Sequence, residues 1–273
     1  MKHKKKKKKK EQLSEPSLFK GRLSSRLTAF SRQSGEGTTP QARLFSVKLH
    51  VMETEEVFTV PECYHNLTIK NLKSRLELLV GIPVNFMRLQ YLDEVDLNED
   101  STFRNNDIIL GGTLTLRIWS EDAWGHLVTA AASGIKEMLA DVGGISTSVF
   151  NTASARRMGP EKRNEWLAYR TFVALFITVR RGYLDAVELL LQNGVDLKLK
   201  TPLGRTVLHV AVISGHIACV DLLLSYGAKI TEEDYEGYTP VDLARQWGQK
   251  ECERRLFQFQ WKSRRGVSRT KLD

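Results

Sequence analysis

Gly204-Arg205-Thr206-Val207-Leu208-His209-Val210-Ala211 returns 33 residues later as Gly237-Tyr238-Thr239-Pro240-Val241-Asp242-Leu243-Ala244. The same interval separates Gly182, Gly215 and Gly248, and carries Asn193-Gly194 onto Tyr226-Gly227. A fixed period of this length marks a stacked helical repeat. Each recurring residue has a mechanical task. A glycine ahead of the threonine lets the turn adopt positive φ. Thr206 and Thr239 can cap a helix N-terminus, and Pro240 suits the first helical position, where no N–H is needed. Leu189-Leu190-Leu191 and Leu222-Leu223-Leu224 supply apolar side chains for the second helix of each unit. A unit this small cannot bury its own apolar face, so neighbours must stack. In this setting His209 is read as structural, bonded to adjoining loops, with no metal or catalytic role.

Working toward the C-terminus, Val187 and Val220 are followed at the same interval by Glu253, and Leu189 and Leu222 by Arg255. Leu190, Leu223 and Leu256 stay apolar. One helix face has turned charged while its inner face is kept, the pattern of a solvent-facing end unit. The repeats are therefore expected over residues 166–261, with a basic tail over 262–273. Working the other way, Leu127, Ala130 and Gly134 keep the spacing of Leu208, Ala211 and Gly215. Residues 121–144 read as a degenerate first repeat, and residues 145–165, rich in Ser, Thr and Arg, as an inserted loop. Three or four repeats are a marginal stack. The segment ahead, joined through Trp119 to Trp124 with almost no linker, is expected to dock on the first one.

That segment, residues 43–120, carries a different periodicity. Leu44, Phe45, Val47, Leu49 and Val51 include the alternation of a half-buried strand, and Val57 to Val60 form a second, closed by Pro61. Thr68 precedes Ile69, Leu72, Leu76 and Leu79 at helical intervals, ended by Gly81 and Pro83. Met87 to Tyr91 and Thr113 to Ile118 are further strands. Two strands, a helix and two strands make a small α+β unit.

Both halves resemble known families at these residues. Gly204 to Ala211 and Gly237 to Ala244 resemble the ankyrin signature at its defining positions, with Asp242 where the histidine usually sits. Thr68 to Lys73, Gly81-Ile82-Pro83, Arg88-Leu89, Ile108 and Thr113-Leu114 resemble ubiquitin in order and nearly in spacing. The whole is similar to the ankyrin repeat domain-containing proteins with an N-terminal ubiquitin-like domain. The resemblance implies an α+β chain: a ubiquitin-like β-grasp domain followed by a short ankyrin α-solenoid of three to four repeats. Two departures matter. Trp119-Ser120-Glu121-Asp122 follows the last strand where ubiquitin ends in its Gly-Gly tail, so conjugation is not expected. The positions matching ubiquitin's apolar binding patch are Gln90, Thr115 and Arg117, which cannot supply the apolar burial that drives that contact.

The resemblance also implies where a partner would bind: loop tips and exposed first-helix positions, here Arg180, Arg181, Arg205, Ile213, Ser214, Tyr235, Tyr238, Gln246 and Trp247. Tyr, Trp and Arg are the commonest binding anchors. The expected partner is a protein of unspecified identity. A ubiquitin-pathway component, such as a ligase or the proteasome, is the alternative for the β-grasp domain. No small-molecule substrate and no cofactor are expected. The six histidines lack the H-E-x-x-H metal spacing, and there is neither a phosphate loop nor a nucleophile elbow. Cys63, Cys219 and Cys252 are odd in number and far apart, which argues against a disulfide framework. No catalytic role is expected for any residue.

The net charge of +9 is unevenly placed. Residues 1–42 hold 12 Lys/Arg and 3 Glu, and the remainder holds 29 of each sign. The run Lys4 to Lys10 could attract nucleic acid or an anionic membrane, non-specifically and with steep salt dependence. Residues 1–42 are read as a disordered, solvated basic leader; within it Phe19, Leu23, Leu27 and Phe30 would alternatively share one helix face beside Arg22 and Arg26, able to dock on an anionic membrane or a partner. An intracellular location, cytoplasm or nucleus, is expected.

Overall fold

The computed structural model describes residues 43–145 and 150–269. Its N-terminal part is a four-stranded sheet of β1 (Phe45–Val51), β2 (Glu56–Cys63), β3 (Met87–Tyr91) and β4 (Thr113–Ile118), in the order β2-β1-β4-β3. β1 runs parallel to the last strand and antiparallel to β2. Val47, Leu49, Val51, Leu89, Leu114 and Leu116 point to one face and are buried. The alternation read from the sequence thus becomes one wet and one dry face. β2 does not end at Pro61 but runs on to Cys63. The register slips between Phe45 and Val47, so Pro61 falls at a bulge, where its missing N–H breaks no ladder bond.

Helix α1 (Ile69–Val80) crosses the dry face. Thr68 Oγ1 accepts from Asn71 N, and Gly81 closes the helix with φ 71°. Ile69, Leu72 and Leu76 pack toward the sheet. Glu77, Leu78 and Val80 are buried as well, so α1 is covered on its outer side too.

The rest is a stack of antiparallel helix pairs: α2 (Trp124–Ser133) with α3 (Lys136–Asp141), α4 (Pro160–Arg181) with α5 (Leu184–Gln192), α6 (Val207–Ser214) with α7 (Ile217–Ser225), and α8 (Pro240–Gln246) with α9 (Lys250–Arg269). First helices pack on first helices and second on second, as nearest-neighbour stacking requires. The residue after each turn glycine covers the glycine of the unit before. Tyr183 lies over Gly134, His216 over Gly182 and Gln249 over Gly215, each so close that an added Cβ would collide with it.

In the helical part, two further boundaries differ from the sequence reading. α4 begins at Pro160, inside the stretch expected to be loop, because a proline at the first turn starts a helix whose opening residues are polar and exposed. α9 continues past Trp261 to Arg269, into the stretch expected as a basic tail. Residues 1–42, with Lys4 to Lys10 and the Phe19–Phe30 face, lie outside the described residues. Among the described residues, no helix is long and apolar enough to cross a membrane.

Candidate protein-interaction surface

The buried side chains of the sheet, α1 and the helix pairs form one continuous hydrophobic core. The joint begins with aromatics. Phe86, just before β3, packs on Trp124 at 4.4 Å between ring centroids, and Tyr169 of α4 lies 6.2 Å from both. Thr129 of α2 donates to Glu53 O (2.9 Å).

The connection itself is strained and pinned. Asp122 and Ala123 both take positive φ, 52° and 55°, which costs a residue with a Cβ. Arg170 of α4 is fully buried beneath them and donates to the carbonyls of Asp122 (2.7 Å), Ala123 (3.5 Å) and Val142 (2.6 Å). Its guanidinium lies 4.6–4.8 Å from the rings of Trp124, Phe150 and Trp166. Burial pushes its pKa down to about 10, so it stays charged at neutral pH. Thr152 and Ser154 donate to Asp122 Oδ1 from the other side.

α1 then lies across the loop tips and first-helix ends of the stack, and this decides the fate of the candidate residues. Arg205 is 3% exposed. It donates to Ser74 O (2.7 Å) and Ser74 Oγ (3.1 Å), and its nitrogens lie 3.5 Å from Glu77 and 3.4 Å from Asp234. Glu77 also accepts from Thr201 Oγ1 (2.8 Å) and Val84 N (2.8 Å), while burial raises its pKa despite Arg205. Arg180 donates to Leu78 O (3.1 Å) and rests on Gly81. Arg181 donates to Val80 O (3.3 Å) and pairs with Glu56. The three arginines read as partner anchors are thus engaged by the chain's own N-terminal domain. They bind helix-end carbonyls and carboxylates that the sequence does not place beside them. Ile213 is also unavailable. α6 is apolar on all sides and sandwiched in the stack, leaving this side chain 1% exposed. Ser214 is half-buried and donates to Val210 O.

The other candidates remain at the surface. Tyr235 is 77% exposed, with its ring against Gly204 and its N–H bonded to Leu203 O (3.0 Å). Asp234, buried at the loop base, accepts from the N–H groups of Glu236 (3.0 Å) and Tyr238 (2.9 Å), so the loop tip is held firmly. Tyr238 on the same loop, and Gln246 and Trp247 at the C-terminal end of α8, are half-buried. His209 is structural: Nδ1 accepts from Thr206 N (3.0 Å), and Nε2 donates to Tyr238 O (3.1 Å). Asp242 builds the same capping box on Thr239.

On the β-grasp domain the outward sheet face makes none of these contacts with the repeats. It is polar. Gln90 donates to Glu94 O and Asp96 Oδ1, Arg88 pairs with Asp96 (2.8 Å), and Arg117 lies 3.9 Å from Glu94. Among the described residues, no group of three or more His, Cys, Asp or Glu is placed to hold a metal ion.

Sheet order, crossing helix and stacked repeat pairs together define a two-part binding architecture. The chain is an ankyrin repeat protein with an N-terminal ubiquitin-like domain. Residues 175–263 match the family of ankyrin repeats (three copies), and residues 46–112 match the ubiquitin-like domain family. Relatives match about a third of the chain or less. A putative ankyrin repeat protein of Rickettsia bellii is 38% identical over 81 residues, 28% of this chain and 34% of the relative. Human protein phosphatase 1 regulatory subunit 27 is 36% identical over 100 residues, 34% of this chain and 65% of the relative. Human ARF GTPase-activating protein GIT2 is 41% identical over 88 residues, 32% of this chain and 12% of the relative. The chain therefore spans less than two thirds of the length of each. Ankyrin repeats imply protein partners, and neither domain type is ordinarily an enzyme.

Proposed function

We propose that this chain is a non-enzymatic adaptor that binds a protein partner through the part of the ankyrin surface its own β-grasp domain leaves open. That part is the outer side of the loop at Tyr235 and Tyr238, whose Glu236 alone accepts from Ser74 of α1, together with Gln246 and Trp247 at the end of α8. The observation that carries the reading is the split among the candidates: Arg180, Arg181 and Arg205 are consumed inside the chain, while Tyr235 stands 77% exposed on a loop tied down by Asp234. A rigid exposed aromatic loses little conformational freedom on binding. The Gln246 Oε1 atom, buried beside this surface, has no hydrogen-bond partner among the described residues.

The test is proximity labelling in cells with the full chain and with Tyr235→Ala, Tyr238→Ala and Trp247→Ala combined. The partner set should be lost while the melting temperature stays within a few degrees. Tyr235→Ala alone, which removes no internal side-chain bond, should weaken recovery by itself. An unchanged partner set in the triple variant would reject this surface.

A further inference from the structure

The strand register gathers an apolar patch at the end of the sheet opposite the repeats. Lys48 pairs with Thr113, Tyr91 with Leu114, and Gly111 N bonds to Ser46 O, so β1 and β4 begin where β3 finishes. Four large aliphatic side chains crowd this end with over half their surface in water: Leu44 (53%), Leu92 (89%), Ile109 (62%) and Leu110 (70%). Grouped apolar exposure on this scale marks an interaction site more often than isolated apolar residues do. Leu92 also sits at φ 64°, a left-handed conformation unfavourable for a side chain of its size. The segment from Leu92 to Asp100 adds exposed Val95 (68%) and five carboxylates with no basic residue. Glu94, Asp96 and Glu99 lie against Arg117, Arg88 and Lys73, which leaves Asp93 and Asp100 for an incoming cation. The repeats meet the other end of the domain, through Glu53, Glu56 and Phe86.

We propose that this patch seats the chain's own residues 19–30. Phe19, Leu23, Leu27 and Phe30 stand at intervals that a helix would gather on one face, with Lys20, Arg22 and Arg26 close by in the sequence. Apolar side chains meet the patch and cations meet the carboxylates that border it. The connection favours this occupant over any other. Twelve residues, 31–42, join Phe30 to Arg43, directly before Leu44 at the patch edge. A tether of that length spans roughly 20 Å on average, and such short tethers raise the local concentration of a segment into the millimolar range. A weak apolar contact is then well populated within one molecule.

Backbone amide exchange of the full chain tests this. Amides of residues 19–30 should be protected at least tenfold over the same residues in a free peptide. Protection should disappear in Leu92→Asp/Ile109→Asp/Leu110→Asp, whose replaced side chains are exposed and whose melting temperature checks the fold. It should also disappear in Leu23→Asp/Leu27→Asp, and excess peptide of residues 17–31 should compete it away. Unprotected amides in the full chain, or protection that survives the triple substitution, would overturn the proposal. So would protection that appears only with anionic vesicles, or only alongside a concentration-dependent doubling of mass. Those outcomes give the leader to a membrane or the patch to a second copy.

Discussion

At the scale of single residues, His209 shows how much of this protein is set by burial. Its imidazole is enclosed, and loss of solvation holds its pKa at about 4 against an ordinary 6.5, although Tyr238 O and Asp234 pull the other way. Below pH 6.5 the unfolded chain takes up a proton that the folded imidazole refuses. Stability therefore falls between pH 6.5 and pH 4, by about 2 kcal/mol at pH 5. Glu77 acts in the opposite sense, because burial raises its pKa and the folded carboxyl is protonated more readily than the unfolded one. Urea unfolding at pH 7 and pH 5 separates the two: His209→Asn should lose the acid-labile part, and an unaltered pH dependence would contradict it. The structural role of this histidine was legible because its task is local, three residues from Thr206. The fate of Arg180, Arg181 and Arg205 was not. Their partners on α1 lie about a hundred residues or more away, and no local pattern encodes such a pairing.

At the scale of elements, α1 is where the two families of structure meet. A β-grasp helix packed only on its sheet needs no buried acid on its outer side. Here Glu77 is there to meet Arg205 and Thr201. Removing one member of a buried pair strands the other, at a cost of about 3 kcal/mol. Glu77→Ala and Arg205→Ala should each lower stability by that order, and the double substitution should cost clearly less than their sum. Full additivity in a thermodynamic cycle would mean the two do not act together. The repeats themselves were readable, since glycine, threonine and leucine recur at a fixed interval. α4 was misread at its start because Glu161 to Glu165 show no apolar stripe. Pro160 was the signal available, a proline at a helix first turn. The extension of α9 had no such marker.

At the scale of the whole molecule, one hydrophobic core runs from the sheet through every helix pair. The ubiquitin-like domain lies along the stack, meeting α2 at Trp124 and Thr129, the end of α4 at Arg180 and Arg181, and the loop before α6 at Thr201 and Arg205. Deleting residues 43–118 should leave repeats that aggregate or melt without a cooperative transition. The full chain should unfold in a single calorimetric step whose enthalpy equals the van't Hoff value. Two separate transitions would mean two independent bodies.

The guanidinium of Arg170, seated among three aromatic rings and bonded to the linker carbonyls, removes the swivel expected between a small domain and its neighbour. The outward sheet face around Arg88 and Arg117 and the aromatic tip at Tyr235 are thereby fixed in distance and bearing. A ligand with two grips on a stiff spacer of matching span can hold both at once with little further loss of freedom, whereas one with the wrong span gains nothing from the second grip.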